Sequence, residues 1–403
     1  MTSRTFTRQI GNSPASVYYM FTHENSWREW FCDSAWVQPR EGGRLLLGWN
    51  APDLADYYVV AHFSSLAADK KVELKWQPST DPTPGKVMVE IAPTAGGAAL
   101  TLTHFFGAGA TAASIEKQAG LWETRFEVLQ SLLERGIDPI IERRPMLGIM
   151  LGALDDDMAQ RLGLPSAEGV LLSNTLEGMG AHKAGLIGND VIVRMDSTPV
   201  KKFEDIPVAM TGKRAGDVVE MEIVREGAKK ILPMTLSARQ MPEVPARPAE
   251  LAAQLRSIHA ELLKELDDLL AGLSEEAASA HPAEGEWNAR EAISHLVWTE
   301  RDQQNYLGML LSDDVAVFGI NNVDARIKGL VAAHPTLAEM RGLFARTLNE
   351  TACIVERLPE NFVARKSSYV QLGQGMLLGA YHPRSHFDQI RAAIAAAVST
   401  LAA

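Results

Sequence analysis

Two histidines four residues apart, His382 and His386 in Tyr381-His382-Pro383-Arg384-Ser385-His386-Phe387, carry the clearest chemical signal in the chain. On a helix this spacing puts both imidazoles on one face, with Cβ atoms roughly 5–6 Å apart, a workable geometry for two ligands of one metal ion. A pair leaves the ion under-coordinated. A third ligand is available at His295, in Glu286-Trp287-Asn288-Ala289-Arg290-Glu291-Ala292-Ile293-Ser294-His295-Leu296. Asn288 followed three residues later by Glu291 reads as a capping box, which puts His295 in the second turn of a helix. Three imidazoles from two helices would leave a coordination position open, as in catalytic rather than structural sites. Imidazole ligands point away from Mg2+ and Ca2+ and do not choose among the transition metals. Glu291, one turn before His295, is a candidate catalytic base or an orienting neighbour. The competing reading is of solvent-facing or core histidines. Pro383 adds a constraint, because it removes an N–H and clashes with the preceding turn unless the helix starts or kinks there. His259, His281 and His334 lack a comparable partner pattern.

These histidines need helices to hold them, and the last third of the chain supplies the pattern. Leu251, Leu255, Ile258, Leu262, Leu266, Leu269 and Leu273 recur at three- and four-residue steps, as a bundle helix requires. A second helix is predicted from Asn288 to about Leu311. A third starts at Pro335-Thr336, where Thr336 and Glu339 form another capping box, and runs to about Leu358. The fourth carries Phe387, Ile390, Ile394, Val398 and Leu401. Four helices with one long connection match the bundles whose metal sites are built from facing helices. Trp287, His295, His382, His386, Gln389 and Ile390, in that order, resemble the pattern of the DinB/YfiT-like metal-binding four-helix bundles. That resemblance implies thiol S-transferase or metal-dependent hydrolase chemistry on Zn2+, Ni2+ or Mn2+, with a low-molecular-weight thiol as a candidate partner.

The first third reads as an α+β layer. Residues 3 to 10 alternate like a strand, and Ser13-Pro14 gives an N-cap with proline at the first helical position. Strand-like runs then cover 44 to 49, 57 to 63, 71 to 76, 86 to 91 and 98 to 105, before an amphipathic helix from about Ala112 to Leu133. Trp30, the Arg40-Glu41-Gly42-Gly43-Arg44 turn, Thr101-Leu102-Thr103-His104 and Leu121-Trp122 resemble the START-like SRPBCC superfamily, specifically homologues of the chaperone-ATPase activator. The resemblance implies a helix-grip fold that often encloses a small apolar ligand. Six of the eight tryptophans lie here, and Trp30, Trp49 and Trp122 are the candidates for a ligand cavity. The plainer role for these aromatics is core packing.

Between Asp138 and Pro145 the pattern breaks, and a linker is predicted. Beyond it, Met146-Leu147-Gly148-Ile149, Gly169-Val170-Leu171-Leu172-Ser173 and Ala184-Gly185-Leu186-Ile187-Gly188-Asn189-Asp190-Val191-Ile192 resemble a bacterial HtrA-type PDZ domain. Backbone N–H groups of a glycine-containing loop can capture a peptide's terminal carboxylate. Met146, Leu147, Gly148 and Ile149 are therefore the candidate peptide-binding residues, and a protein C-terminus the candidate partner. No Gly-x-Ser-x-Gly elbow accompanies them.

The whole chain sets further bounds. Its 403 residues predict several domains, and the expected division is 1–138 helix-grip START-like, 143–240 β-rich PDZ and 247–403 all-α four-helix bundle. A formal net charge of -11 argues against nucleic acid or an anionic membrane surface as a partner. Cys32 and Cys353 make no disulfide framework, and with no signal-like or membrane-spanning stretch the expectation is a cytoplasmic protein. Two functions stand: a metal-dependent transferase or hydrolase with appended ligand- and peptide-binding domains, or a non-enzymatic stress-response scaffold or sensor.

Overall fold

A computed structural model describes residues 2–50, 57–239, 241–283, 285–314 and 323–401. They fall into two compact units, one joining Met1–Ile137 to Pro242–Ala403 and the other formed by Asp138–Met241.

The chain opens with β1 (Ser3–Ile10), α1 (Pro14–Thr22) and α2 (Glu24–Trp30). Strands β2 (Ser34–Val37), β3 (Arg44–Gly48), β4 (Tyr58–Ala67), β5 (Lys71–Pro78), β6 (Gly85–Thr94) and β7 (Gly97–Phe105) follow, then α3 (Ala112–Arg135). The strands form one antiparallel sheet in the order β1-β7-β6-β5-β4-β3-β2. Period-two alternation decides its faces: Ala98, Leu100, Leu102 and His104 of β7 all point into the core while their neighbours stay partly exposed. On α3, Trp122, Phe126, Leu129 and Leu133 are spaced to present one apolar face to that sheet. Thr111 caps the start of α3, and Gly136, at φ 73°, takes the left-handed conformation that ends it. The short edge strand β2 has no counterpart among the predicted strands; its sequence Ser-Ala-Trp-Val is too brief to show a period.

The second unit contains α4 (Pro139–Arg143), β8 (Pro145–Met146), β9 (Ile149–Leu151), α5 (Asp156–Arg161), β10 (Val170–Thr175), α6 (Gly180–Lys183) and β11 (Val191–Met195). It continues with β12 (Thr198–Pro199), α7 (Asp205–Ala209), β13 (Val218–Arg225), β14 (Ala228–Thr235) and β15 (Ser237–Ala238). Where a linker was predicted, Asp138 instead caps one turn of helix, accepting from the N–H groups of Ile140 and Ile141, with Pro139 at the first position. The main sheet runs β14-β13-β11-β10-β9, with β12 beside β11. Its core includes Leu172, Ile192, Met195, Met221, Ile223 and Met234. Asp190 is wholly buried and accepts two hydrogen bonds from the Arg225 guanidinium, at 2.6 and 2.7 Å.

The last third is helical: α8 (Pro248–Leu270), α9 (Glu275–Ser279), α10 (Ala289–Leu311), α11 (Val323–Ala333), α12 (Leu337–Glu356), α13 (Glu360–Ala364), α14 (Lys366–Leu378) and α15 (Tyr381–Leu401). Both predicted capping boxes form, Asn288 with Glu291 and Thr336 with Glu339. Helices α11 and α14 were not predicted as separate elements. The side chains of Val398 and Leu401, expected on the fourth helix's apolar face, lie outside the described residues. Helix α14 packs against α3. Ser367 and Ser368 at its start donate to the buried Glu29 carboxylate at 2.7 and 3.1 Å, and Arg365 donates to both Tyr19 and Asp313. The sheet layer and the helical layer of this unit are therefore joined by specific polar contacts as well as by apolar packing.

Candidate metal centre

Helices α10 and α15 pack together and bring the three histidines to one place. One nitrogen from each of His295, His382 and His386 lies within 4.8 Å of the others. The Nε2 atoms of His382 and His386 are 3.2 Å apart. Two ligands held at zinc–imidazole bond lengths on a tetrahedral centre are separated by about 3.3–3.4 Å, so the pair fits one ion without rearrangement. His295 is buried, and its Nδ1 makes no hydrogen bond among the described residues. A buried imidazole nitrogen left without a partner is costly unless something else engages that ring. The donor set suits a transition metal.

Local structure explains why the pattern survives Pro383. Helix α15 begins at Tyr381, so Pro383 occupies its first turn, where its missing N–H is one of the groups that has no intrahelical partner anyway. The constraint read from the sequence is met by the helix starting there, and His382 keeps its place. One turn on, the ring of His386 donates from Nδ1 to Gln389 Oε1 at 2.9 Å, which leaves Nε2 as the ring's lone-pair nitrogen facing His382. Trp287 covers the other side, its ring 4.8 Å from that of His295 and 6.0 Å from that of His386.

Two of the three histidines are held neutral. Burial, reinforced by His386 and His382, pushes His295 down to about 4, with Asp302 opposing. Burial and then His386 lower His382. Neutral imidazoles are the ligating form, so metal binding near neutral pH needs little proton release from these two.

The remaining sequence candidates sit elsewhere. Glu291 Oε2 accepts from the N–H of Asn288 at 3.1 Å and lies 3.5 Å from His281 Nδ1; among the described residues it makes no hydrogen bond to the cluster. Met146 is partly buried and Leu147 buried. Gly148 takes φ 80°, where an added Cβ would stand 2.3 Å from that of Met179, and Ile149 opens β9 at the edge of the second unit's sheet. Trp30, Trp49 and Trp122 are buried in one aromatic cluster with Phe31, and each indole N–H is satisfied, by Met20 O, Phe31 O and His104 Nδ1 respectively. Sequence reasoning missed Glu300 and His259, both near the histidine cluster in the helical layer. The sequence carried no signal for the first, which Thr299 and Arg301 flank.

Comparison with known proteins assigns two of the three regions. Residues 12–134 match the family model described as Activator of Hsp90 ATPase homolog 1-like protein, and residues 260–390 match that of the DinB superfamily. The chain therefore contains an activator-homologue domain of the SRPBCC-like kind and a DinB domain. A probable periplasmic serine endoprotease DegP-like of Ectopseudomonas mendocina is 33% identical over 110 residues, 27% of this chain and 22% of that protein. The chain thus spans about a fifth of that relative's length. Among solved structures, the Aha1 dimer of Colwellia psychrerythraea aligns with 34% of this chain and 98% of its own at 14% identity and a TM-score of 0.30. Protein MLL2253 of Mesorhizobium loti aligns with 33% and 96% at 21% identity and a TM-score of 0.29. Among the described residues, no helix is long and apolar enough to cross a membrane.

Proposed function

We propose that the DinB domain holds a divalent transition metal, Zn2+, Ni2+ or Mn2+, through His295, His382 and His386, and works as a metal-dependent thiol S-transferase or hydrolase. The observation that carries this is the convergence of three imidazole nitrogens within 4.8 Å from two packed helices. A bound ion supplies Lewis acidity that brings the pKa of a water or a low-molecular-weight thiol towards neutrality. The chain's own residues do the rest. Gln389 fixes the tautomer of His386, Trp287 screens one side of the cluster, and the Asn288–Glu291 capping box sets the start of the helix that carries His295. Glu291 is then a positioning residue.

The deciding measurement is elemental analysis of protein purified without a nickel column, beside His295→Ala and His386→Ala. Near-stoichiometric transition metal that both variants lose supports the site. No uptake after incubation with Zn2+, Ni2+ or Mn2+ overturns it, and no turnover of any thiol by metal-loaded protein overturns the transferase assignment.

A second activity has support from the middle unit, which we read as a PDZ module that binds protein C-termini. Strand β9 is the terminal strand of its sheet, and Met150 and Leu151 on it are 46% and 50% exposed beside the Leu147-Gly148 loop. An added peptide strand fits there. Peptides that bind equally well with amidated and free C-termini would count against carboxylate capture. The scaffold alternative, with a small apolar ligand in the first domain, draws on the activator-homologue match, while Trp30, Trp49 and Trp122 are buried in one aromatic cluster with Phe31. Two free cysteines, Cys32 and Cys353, support a reducing, cytoplasmic setting, which cell fractionation tests.

A further inference from the structure

Between α8, α10, α12, α14 and the start of α15 lies a cavity of about 330 Å³, at the small end of small-molecule sites. Its walls are mostly apolar, with Leu255, Leu262, Leu296, Phe344, Leu348 and Met376 among them. His382 lines it too, so the cavity and the histidine cluster share a wall. Into this lining the fold puts one acidic side chain, Glu300. Thr351 lines the same wall, its Oγ1 accepting from Gln304 Nε2 at 3.1 Å and donating to Thr347 O at 3.4 Å. Among the described residues no lysine or arginine lines the cavity. His259, on the facing wall, has a buried Nδ1 with no hydrogen-bond partner among the described residues.

That combination is unusual for a core. Buried carboxylates are normally neutralised by a cationic neighbour, because an ion taken out of water without one costs several kcal/mol. Here the lining supplies no lysine or arginine, and burial pushes Glu300 up to about 6. A hydrocarbon-walled space with one uncompensated carboxylate is complementary to a compact apolar molecule carrying an ammonium group.

We propose that this cavity binds a small organic amine, its hydrocarbon part against Leu255, Leu262, Phe344 and Leu348 and its ammonium on Glu300. The alkyl part gains from burial, and the ammonium replaces the missing counter-charge with a charge-assisted hydrogen bond. The proposal rests on the cavity and Glu300, and it holds whether or not the three histidines carry a metal.

The test is calorimetric titration of the full chain at about pH 8, where the carboxyl is ionised and alkylamines keep their proton. A chelator is present throughout, so that an amine cannot score by ligating a metal. The probes are pentylamine, pentanol and pentanoate. Pentylamine should bind at least about tenfold more tightly than pentanol, and Glu300→Gln should erase that difference, as loss of a charged hydrogen bond predicts. Gly375→Leu serves as a second variant. Gly375 lines the cavity in α14, and an added Cβ there meets nothing within 4 Å, so the larger side chain fills the space without a backbone clash and should abolish pentylamine binding. Equal binding of amine and alcohol, tighter binding of pentanoate, or unchanged amine binding in either folded variant overturns the proposal. Metal content of Glu300→Gln, measured in parallel, should match wild type and keeps the outcome separate from that of the metal site.

Discussion

The hydrogen bond from His386 to Gln389 gives the sharpest handle on the metal centre. An imidazole can carry its proton on either nitrogen, and only the form with the proton on Nδ1 offers Nε2 to a metal. Gln389 Oε1, 2.9 Å from Nδ1, favours that form by the net worth of a hydrogen bond, about 0.5–1.5 kcal/mol. It also orients the ring, and partners of this kind typically contribute about 10–100-fold in metal affinity. Gln389→Leu keeps the volume and removes the acceptor, so Zn2+ affinity should fall about tenfold or more. Gln389→Glu replaces a neutral acceptor with a charged one, which makes the bond shorter and the imidazole more basic, so affinity should rise. The expected order is Leu weakest, Gln intermediate and Glu tightest. Competition with a chromogenic chelator at fixed pH reads the three constants directly, and thermal unfolding of the metal-free proteins checks that the bundle itself is unchanged. Equal affinities in all three would refute the assignment of Gln389 as the orienting group. A Leu variant that binds better than the Glu variant would refute the assignment of His386 as a ligand through Nε2.

Two further predictions concern the frame. Burial pushes His104 down to about 4 from an ordinary 6.5, and its neutral Nδ1 accepts from Trp122 at 3.2 Å. Because the folded-state value is the lower one, stability is intact above about pH 6.5 and falls as the pH drops towards 4, by up to about 3 kcal/mol. Urea unfolding followed by tryptophan fluorescence should show that loss in wild type and a smaller one in His104→Gln, which keeps an acceptor and cannot titrate. Asp190→Ala leaves the Arg225 guanidinium without the carboxylate that takes two of its hydrogen bonds, and should destabilise the middle unit by about 1.5–3 kcal/mol. Limited proteolysis should then cut within Asp138–Met241 first, and a variant as resistant as wild type would remove that ion pair from the account of its stability.

Much of this was legible in one dimension because it depends on short spacings. The separation of His382 from His386, the capping boxes at Asn288 and Thr336, and the alternation of β7 are set by helix and strand periods, which hold whatever the rest of the chain does. The match of two regions to family models agrees with those local patterns. Pro383 could be read two ways from sequence, since its cost depends on where the helix begins. The tertiary structure decided that, by starting α15 at Tyr381.

What the sequence could not supply are the properties that depend on surroundings. Glu300 looks like any helical glutamate until α8, α12 and α14 close around it in a lining without lysine or arginine. His259 showed no partner pattern because the residues it faces come from four other helices. Trp30, Trp49 and Trp122 could have stood apart or together, and the packing of α2 and α3 against the sheet buries all three in one core cluster. The joining of the first and last thirds through Glu29, Ser367 and Ser368 spans more than three hundred residues of chain, across which no period or spacing carries information. Local geometry follows from residue type and neighbours along the chain, whereas burial, charge compensation and the shape of a cavity follow from which distant segments meet.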